Sequence, residues 1–258
     1  MSNIYDALEK GGAGSKRPPA EGPLEPLTPR DGRGAALAGG AKVRGVGGTR
    51  ELEIEGLRQR ILLELDTTRS CMVAFSGAVP GEGSSTLALL LARELAHWEE
   101  RPVLLVDADI AGYPRSLSGA LKEAADGLGF SDVLEGKTRL EEAVRSTELA
   151  NLHFLPRGSN AGSPLDLLSS ERLGAFRREV DRHYAFSILD TSPLLFAPES
   201  GLIGAGTDGM VLVVRANRTR REIVQKAIRL INQARGRALG VVLNERRYSI
   251  PGFIYRRL

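Results

Sequence analysis

A glycine-rich stretch that follows an apolar run constrains the fold of this chain more than any other feature. The stretch reads Ser76-Gly77-Ala78-Val79-Pro80-Gly81-Glu82-Gly83-Ser84-Ser85-Thr86, the apolar run covers residues 71–75, and leucines at helical spacing follow. A strand, a glycine-rich turn and a helix in this order form a phosphate-binding loop, because backbone N–H groups and the helix N-terminus then face an anion. The sequence therefore predicts a phosphate site at this turn.

One position in the loop departs from the usual pattern. Such a loop ordinarily ends in Gly-Lys-Ser/Thr, and the lysine reaches the β- and γ-phosphates. Here Ser84 follows Gly83, while Ser85 stands where a hydroxyl usually binds the metal ion. Loss of one charge-assisted phosphate contact predicts binding weaker by roughly ten- to a hundredfold, and a larger loss in catalysis. Three arginines that follow a later strand are candidates for a substitute cation: Arg215, Arg218 and Arg220.

Predicted strands and helices alternate after residue 50. Apolar runs predict strands at 71–75, 102–109, 152–155, 185–190, 209–215 and 238–244. Amphipathic patterns predict helices at 51–65, from the loop to about 97, and at 132–134, 140–144, 164–168, 171–180 and 219–233. This alternation predicts an α/β fold, with a doubly wound, mainly parallel sheet and helices on both faces, of the P-loop NTPase-like kind.

The first 50 residues have a different composition from the rest. Residues 1–10 could form a short helix, and residues 11–48 are rich in glycine and proline with few large apolar side chains. Such a segment cannot bury enough surface to offset its ordering entropy. We therefore expect a disordered tail and linker over 1–50, and one domain over 51–258 that ends in a short basic tail from about 245.

Composition limits where this protein works. Hydrophobic residues make up 42% of its 258 residues, which supports a sizeable core. No apolar run approaches the roughly 18–20 residues of a membrane span, and no signal peptide opens the chain. The single cysteine, Cys71, fits a reducing compartment. The net charge of +3 is small, and the chain has no nucleic-acid recognition motif. We therefore expect a cytoplasmic protein, without a nucleic-acid partner, that a partner brings to any membrane.

Three aspartates end two of the predicted central strands. Asp107 and Asp109 close the run 102–109, and Asp190 closes the run 185–190. Ligands bind at the carboxyl ends of the strands in open α/β sheets. Mg²⁺ prefers oxygen ligands, so carboxylates beside a phosphate loop predict a Mg-nucleotide site that includes Ser85. The alternative is that these aspartates only cap helices or turns.

Several segments together resemble the bacterial tyrosine kinase (BY-kinase) family, which lies within the partitioning and cell-division group of P-loop ATPases. The resemblance is most specific in Pro-Gly-Glu-Gly-Ser-Ser-Thr (80–86), Val-Leu-Leu-Val-Asp-Ala-Asp (103–109) and Ile-Leu-Asp-Thr-Ser-Pro (188–193). It extends through 129–134, 164–171, 208–215 and 239–244, and covers roughly residues 50–258. Members of that family are kinases of exopolysaccharide and capsule assembly systems.

The resemblance implies ATP or ADP and Mg²⁺ as ligands, and it assigns roles to single residues. The nucleotide would contact Gly81, Glu82, Gly83, Ser84, Ser85 and Thr86, with Asn244 near adenine. Mg²⁺ would be held by Ser85, Asp107 and Asp190, and the attacking tyrosine would be polarised by Asp107, Asp109 and Asp190. Candidate phosphoacceptors are Tyr248 and Tyr255. The implied partners are further copies of the chain in a ring and a membrane adaptor of the polysaccharide co-polymerase type, which would recruit the protein to the inner face of the cell membrane.

The chain departs from the family pattern at more than the loop lysine. No basic residue follows Asp109, the tail has only two tyrosines, and the oligomerisation-helix motif keeps Glu55 and Arg58 but has Ile61 at its third site. Two functions remain open: a catalytically impaired regulator of exopolysaccharide biosynthesis, or an active tyrosine autokinase that uses another cation. A partitioning-type ATPase is disfavoured, because those proteins carry an extra lysine early in the loop.

Overall fold

A single mixed sheet forms the centre of the molecule. The computed structural model describes residues 30–35, 49–113, 117, 127–159 and 163–245. Its strands are β1 (Arg30–Ala35), β2 (Cys71–Gly77), β3 (Val103–Ala108), β4 (Arg145–Thr147), β5 (Leu152–Leu155), β6 (Phe186–Thr191), β7 (Gly209–Arg215) and β8 (Ala238–Asn244). Their order is β1-β4-β5-β3-β6-β2-β7-β8, and every neighbouring pair is parallel except β4 with β5. The predicted mainly parallel sheet is confirmed.

Helices cover both faces of this sheet. They are α1 (Thr49–Glu64), α2 (Ser84–Trp98), α3 (Phe130–Leu134), α4 (Leu140–Ala143), α5 (Pro164–Leu167), α6 (Ser170–His183), α7 (Ser200–Ala205) and α8 (Arg221–Gln233). Because alternate strand residues point to opposite faces, β2 sends Met72 and Ala74 into a core under α6 and α8, and Val73 and Phe75 into a second core under α1 and α2. No helix of the described residues has the length and apolarity needed to cross a membrane.

The structure differs from the sequence prediction in three short elements. Residues 30–35 lie in the predicted linker, yet they form β1, which pairs with β4 at one edge of the sheet. The three-residue β4 and the glycine-containing α7 were also not predicted. None of these segments has the apolar periodicity on which the prediction depends. The predicted helix at 1–10, the remaining linker residues and the tail with Tyr248 and Tyr255 lie outside the described residues.

A buried arginine joins α6 to the amino-terminal ends of β2 and β7. The Arg177 Nη2 atom donates to Asp208 Oδ2 at 2.7 Å, and its Nε atom lies 2.6 Å from Asp181 Oδ1. The same Asp208 oxygen accepts the Met72 backbone N–H at 2.7 Å. The side chains of Arg177 and Asp208 are 4% and 7% exposed, so this ion pair is shielded from water. Helix and sheet are thereby joined through charged groups as well as through apolar packing.

The buried thiol of Cys71 gives a prediction for the pH dependence of stability. Burial raises its pKa to about 11 in the folded protein, against an ordinary value of 9.0. Below pH 9 the thiol is neutral in both the folded and the unfolded protein, so its contribution to stability is fully present. As the pH rises from 9 towards 11, the thiol ionises readily only in the unfolded chain, and the folded state loses this stability. We expect urea unfolding to show about 2 kcal/mol less stability from this group at pH 11 than at pH 8. Cys71→Ala should remove that part of the slope, and an unchanged slope would contradict the assignment.

Candidate functional site

The turn between β2 and α2 has the backbone shape of a phosphate-binding loop. Gly81 and Gly83 have φ angles of 83° and 92°, in the left-handed region that favours glycine. A Cβ atom at Gly83 would overlap Nδ2 of Asn244, so the loop also needs glycine there for space. Helix α2 begins at Ser84 directly after this turn, and its first-turn N–H groups point towards the carboxyl edge of the sheet. The predicted cradle is therefore formed.

A buried glutamate fixes the loop from below. Glu82 is 3% exposed, and its Oε2 atom accepts the Val79 N–H at 3.0 Å. The other oxygen accepts the hydroxyl of Thr219 and, at 3.4 Å, the Arg215 N–H. The Asn244 side chain donates to the Glu82 carbonyl at 2.8 Å. The loop is thus tied to the residues that follow β7 and to the end of β8, and the Glu82 carboxylate braces the loop.

Replacement of Glu82 by glutamine is expected to loosen the loop. The amide would place an N–H₂ group against N–H donors in a buried position, which leaves at least one donor without an acceptor at about 1–3 kcal/mol. The expected result is a lower thermal midpoint and weaker Mg-ATP binding in calorimetric titration. Thr219→Val removes one donor but keeps the carboxylate, and should therefore lower stability less. Equal effects of the two substitutions would contradict the bracing role.

The three predicted aspartates lie together at the carboxyl edge of the sheet. Asp107 and Asp190 are direct partners in the register of β3 and β6, and Asp107, Asp109 and Asp190 are all at most 3% exposed. The Asp109 N–H donates to Asp107 Oδ1 at 3.2 Å. The carboxylate of Asp109 accepts the Ser192 hydroxyl and, at 2.9 Å, the Tyr113 N–H. Asp109 therefore caps the turn after β3, as the alternative interpretation of these residues allows.

Asp190 is the residue of this cluster that best fits a cation. Burial raises its pKa well above the ordinary range, the charge of Asp107 adds to this, and a hydrogen bond from Ser85 opposes it. Its Oδ1 atom has no hydrogen-bond partner among the described residues. The Ser85 contact brings the first turn of α2 to the end of β6, so the loop and the aspartates form one site. A divalent cation held by Ser85, Asp107 and Asp190 fits these groups.

No group of three or more His, Cys, Asp or Glu side chains within the described ranges is arranged to hold a metal ion on its own. This does not conflict with the fit to Mg²⁺. That ion is usually held by one or two carboxylates, water and substrate phosphates rather than by an all-protein cage. The aspartate cluster likewise supplies only some of the ligands that a Mg²⁺ ion needs.

Two further side chains act on Asp109, Ser192 by a hydrogen bond and Arg157 by its charge, and the sequence prediction did not single them out. Burial raises the pKa of Asp109, while the hydrogen bond from Ser192 and the charge of Arg157 lower it. Ser192 lies in the Thr-Ser-Pro segment that follows Asp190, so a signal for it was present. Arg157 follows β5, and only the pairing of β5 with β3 brings it to Asp109. No spacing along the chain indicates that Arg157 lies near Asp109.

The three arginines that were predicted as substitutes for the loop lysine lie in different surroundings. The Arg215 guanidinium binds the Glu245 carboxylate, although the Arg215 backbone N–H reaches Glu82 beside the loop. Arg218 and Arg220 are exposed. The structure therefore brings the backbone of this segment to the loop, but gives the Arg215 side chain another partner.

The predicted oligomerisation motif on α1 is engaged within the chain. The Arg58 Nε atom lies 3.5 Å from Glu94 Oε1, and its guanidinium carbon lies 5.2 Å from the centre of the Trp98 ring. Glu55 accepts a hydrogen bond from Gln59 at 3.4 Å. Ile61, at the third site of the motif, is 6% exposed in the core. This face of α1 therefore packs on α2 in the isolated chain.

The parallel sheet, the glycine loop and the strand-end aspartates define a P-loop NTPase-like protein. No family model matches the chain. It is 31% identical over 177 residues to tyrosine-protein kinase YwqD of Bacillus subtilis, across 69% of this chain and 73% of that protein. It is also 31% identical over 205 residues to tyrosine-protein kinase wzc of Salmonella typhimurium, across 77% of this chain but 28% of that protein. The kinase domain of Escherichia coli tyrosine kinase ETK has a similar fold, with a TM-score of 0.68 at 22% identity over 77% of each chain. The chain belongs to the bacterial tyrosine kinase family, as its motifs predicted.

Proposed function

We propose that this protein is a BY-kinase-like, nucleotide-binding regulator of exopolysaccharide biosynthesis and export whose phosphoryl transfer is impaired. The observation that carries this proposal is a complete phosphate loop and aspartate cluster with Ser84 in the position of the lysine. The shape of the site favours retention of the nucleotide, because backbone N–H groups supply most contacts in such a loop. The missing charge acts mainly on the transition state.

ATP or ADP would bind with its phosphates along residues 81–86 and with adenine towards Asn244. Ser85, Asp107 and Asp190 would hold Mg²⁺, which neutralises phosphate charge when it is bound. Two observations support this assignment: Ser85 opposes the rise that burial causes in the pKa of Asp190, and the Oδ1 atom of Asp190 has no hydrogen-bond partner within the part of the chain that the structure describes. The chain's own residues would orient the phosphates and exclude water from the buried carboxylates.

Phosphoryl transfer requires positive charge where negative charge develops, and removal of a comparable cation slows such reactions on the order of 10³–10⁵-fold. Asp107, Asp109 and Asp190 would polarise an attacking tyrosine. However, Asp109 already accepts hydrogen bonds from Ser192 and Tyr113. The acceptors would be Tyr248 or Tyr255, and we expect little phosphate on either.

The relatives suggest how the protein would be recruited. The chain matches 28% of the length of the Salmonella protein, so that relative contains a large part that this chain does not match. We propose that a membrane adaptor of the polysaccharide co-polymerase type is a partner of this chain. It would hold several copies of this chain at the inner face of the cell membrane, with residues 51–258 as the domain and β1 (Arg30–Ala35), from the predicted tail, paired to the edge of its sheet.

Calorimetric titration with Mg-ATP, followed by phosphotyrosine mass spectrometry of the same sample, tests the proposal. The expected result is binding that Asp107→Ala weakens, without phosphate on Tyr248 or Tyr255. If either tyrosine carries phosphate in the unaltered protein and Asp107→Ala abolishes it, the protein is instead an active autokinase. Absence of binding would contradict the nucleotide-dependent part of the proposal.

A further inference from the structure

An arginine that follows β5 lies beside the turn after Asp109, a turn that has no basic residue of its own. Asp109 is followed by Ile110-Ala111-Gly112-Tyr113, none of which carries a positive charge. A Cβ atom on Gly112 would lie 3.1 Å from Nη1 of Arg157 and 3.6 Å from its Cζ. Strands β5 and β3 are parallel neighbours, so Arg157, two residues beyond β5, reaches the turn that follows β3. Its guanidinium therefore lies against the backbone of the turn that Asp109 caps.

The backbone of Arg157 is fixed from both sides. Its carbonyl accepts the Ser131 N–H at 2.9 Å, and the preceding Pro156 carbonyl accepts the Phe130 N–H at 2.8 Å. The next residue, Gly158, has a φ angle of 93°. The Asp132 carboxylate then accepts the N–H groups of Gly129 and Ser159, each at 3.0 Å. Arg157 thus extends from a rigid connection rather than from an open loop, and its side chain is half-buried.

We propose that Arg157 is a positioning residue of this site: from the end of β5 it supplies, beside the turn at Gly112, the positive charge that is missing directly after Asp109, and it balances the charge of Asp109. This rests on the proposed function, since the aspartates are its Mg-nucleotide site. The charge of Arg157 acts on Asp109 in the direction that favours the carboxylate. Asp109 is 3% exposed, and its burial and the like charge of Asp107 raise its pKa, so a positive charge near Asp109 stabilises the ionised carboxylate.

The same geometry excludes Arg157 as a replacement for the loop lysine. Strand β5 is separated from β2 by β3 and β6. At about 4.8 Å between neighbouring strands, the carboxyl ends of β5 and β2 are about 14 Å apart. Arg157 therefore acts on Asp109 from the side of the site opposite to the phosphate loop, and it does not replace the positive charge that is missing at Ser84.

A double-mutant cycle on the full chain tests the electrostatic coupling between Arg157 and Asp109 without any ligand. Arg157→Gln should raise the unfolding equilibrium constant in urea about five- to tenfold, but less than about twofold when Asp109 is already Asn, because the charge it balances is then gone. Arg178→Gln, an exposed arginine on α6, is the control and should have little effect in either background. An equal effect of Arg157→Gln in both backgrounds overturns the proposal.

A rescue experiment separates positioning from plain structural support. In Mg-ATP titration, Arg157→Gln should weaken affinity about three- to tenfold, and Ala111→Arg added to it should restore most of the loss by returning the charge through the neighbouring turn. Wild-type affinity in Arg157→Gln, or a loss that Ala111→Arg does not recover, overturns the role.

If the unaltered protein binds no nucleotide, the proposed function fails, while the stability cycle still decides whether Arg157 balances Asp109. If Arg157→Gln does not fold, the cycle is run with Arg157→Lys, which should retain most of the coupling to Asp109; loss of the coupling in that variant counts against the proposal.

Discussion

Ser84→Lys is expected to raise the affinity for Mg-ATP about ten- to a hundredfold. The loop already has its glycine conformations and its brace from Glu82, so the variant adds a cation to a formed site rather than building a new one. One charge-assisted hydrogen bond to phosphate contributes roughly 1.5–3 kcal/mol, which corresponds to this change in affinity. Calorimetric titration of both proteins at the same salt concentration measures it.

The same substitution should increase phosphotyrosine formation by more than it increases affinity. The added charge is worth most in the transition state, and we expect roughly a 10³-fold gain in rate at saturating Mg-ATP. Ser84→Met is the matched control, because it has similar length without the charge and should bring no gain. If lysine and methionine give the same affinity and rate, the serine is not the cause of the impairment.

Arg177→Met is expected to destabilise the fold by about 3–5 kcal/mol. Methionine replaces the aliphatic part of the side chain, but it leaves Asp208 buried without its main counter-charge, and a buried charge that loses its partner is strongly destabilising. Asp208 also accepts the Met72 N–H at the start of β2, so the effect reaches the strand that leads into the phosphate loop. Urea unfolding at pH 7 measures the change.

The neighbouring residue on α6 supplies the control for that experiment. Arg178 is exposed, so Arg178→Met should change stability by no more than about 0.5 kcal/mol. Combining Arg177→Met with Asp208→Asn should recover part of the loss, because the charge that Arg177 balanced is then removed, and the more exposed Arg69, 3.3 Å from Asp208, balances it less well than Arg177 does. A loss of less than 1 kcal/mol for Arg177→Met would show that the ion pair contributes little to the fold.

The central strands could be predicted because of where they lie. Strands in the middle of a parallel sheet are buried on both faces and therefore appear as unbroken apolar runs. The predicted bounds 152–155 and 209–215 are those of β5 and β7 in the structure. The bounds 238–244 are those of β8, an edge strand that was predicted from its apolar residues although it is only partly buried. The predicted end of the run 102–109 likewise placed Asp107 at the carboxyl end of β3.

The parts that the sequence did not predict depend on contacts between distant segments. Strand β1 contains Arg-Asp-Gly-Arg-Gly-Ala and has no apolar pattern, so its pairing with β4 alone defines it. The loop motif includes Glu82, but only the fold brings Thr219 and Asn244 to it. Arg157 lies beside the turn after Asp109 because β3 and β5 are neighbours in the sheet, although they are not consecutive along the chain. Spacing along one segment carries no information about such contacts.

The contacts of Arg58 with Glu94 and Trp98 have a consequence for assembly. A second molecule that uses Arg58 as an anchor must compete with an ion pair and a cation–π contact that the chain already makes. Each contact is worth roughly 0.5–1 kcal/mol at a partly exposed site, so releasing Arg58 from both costs about 1–2 kcal/mol. An association through this face would therefore be weaker by that amount, and would require a correspondingly higher local concentration of chains than an interface built on a free arginine.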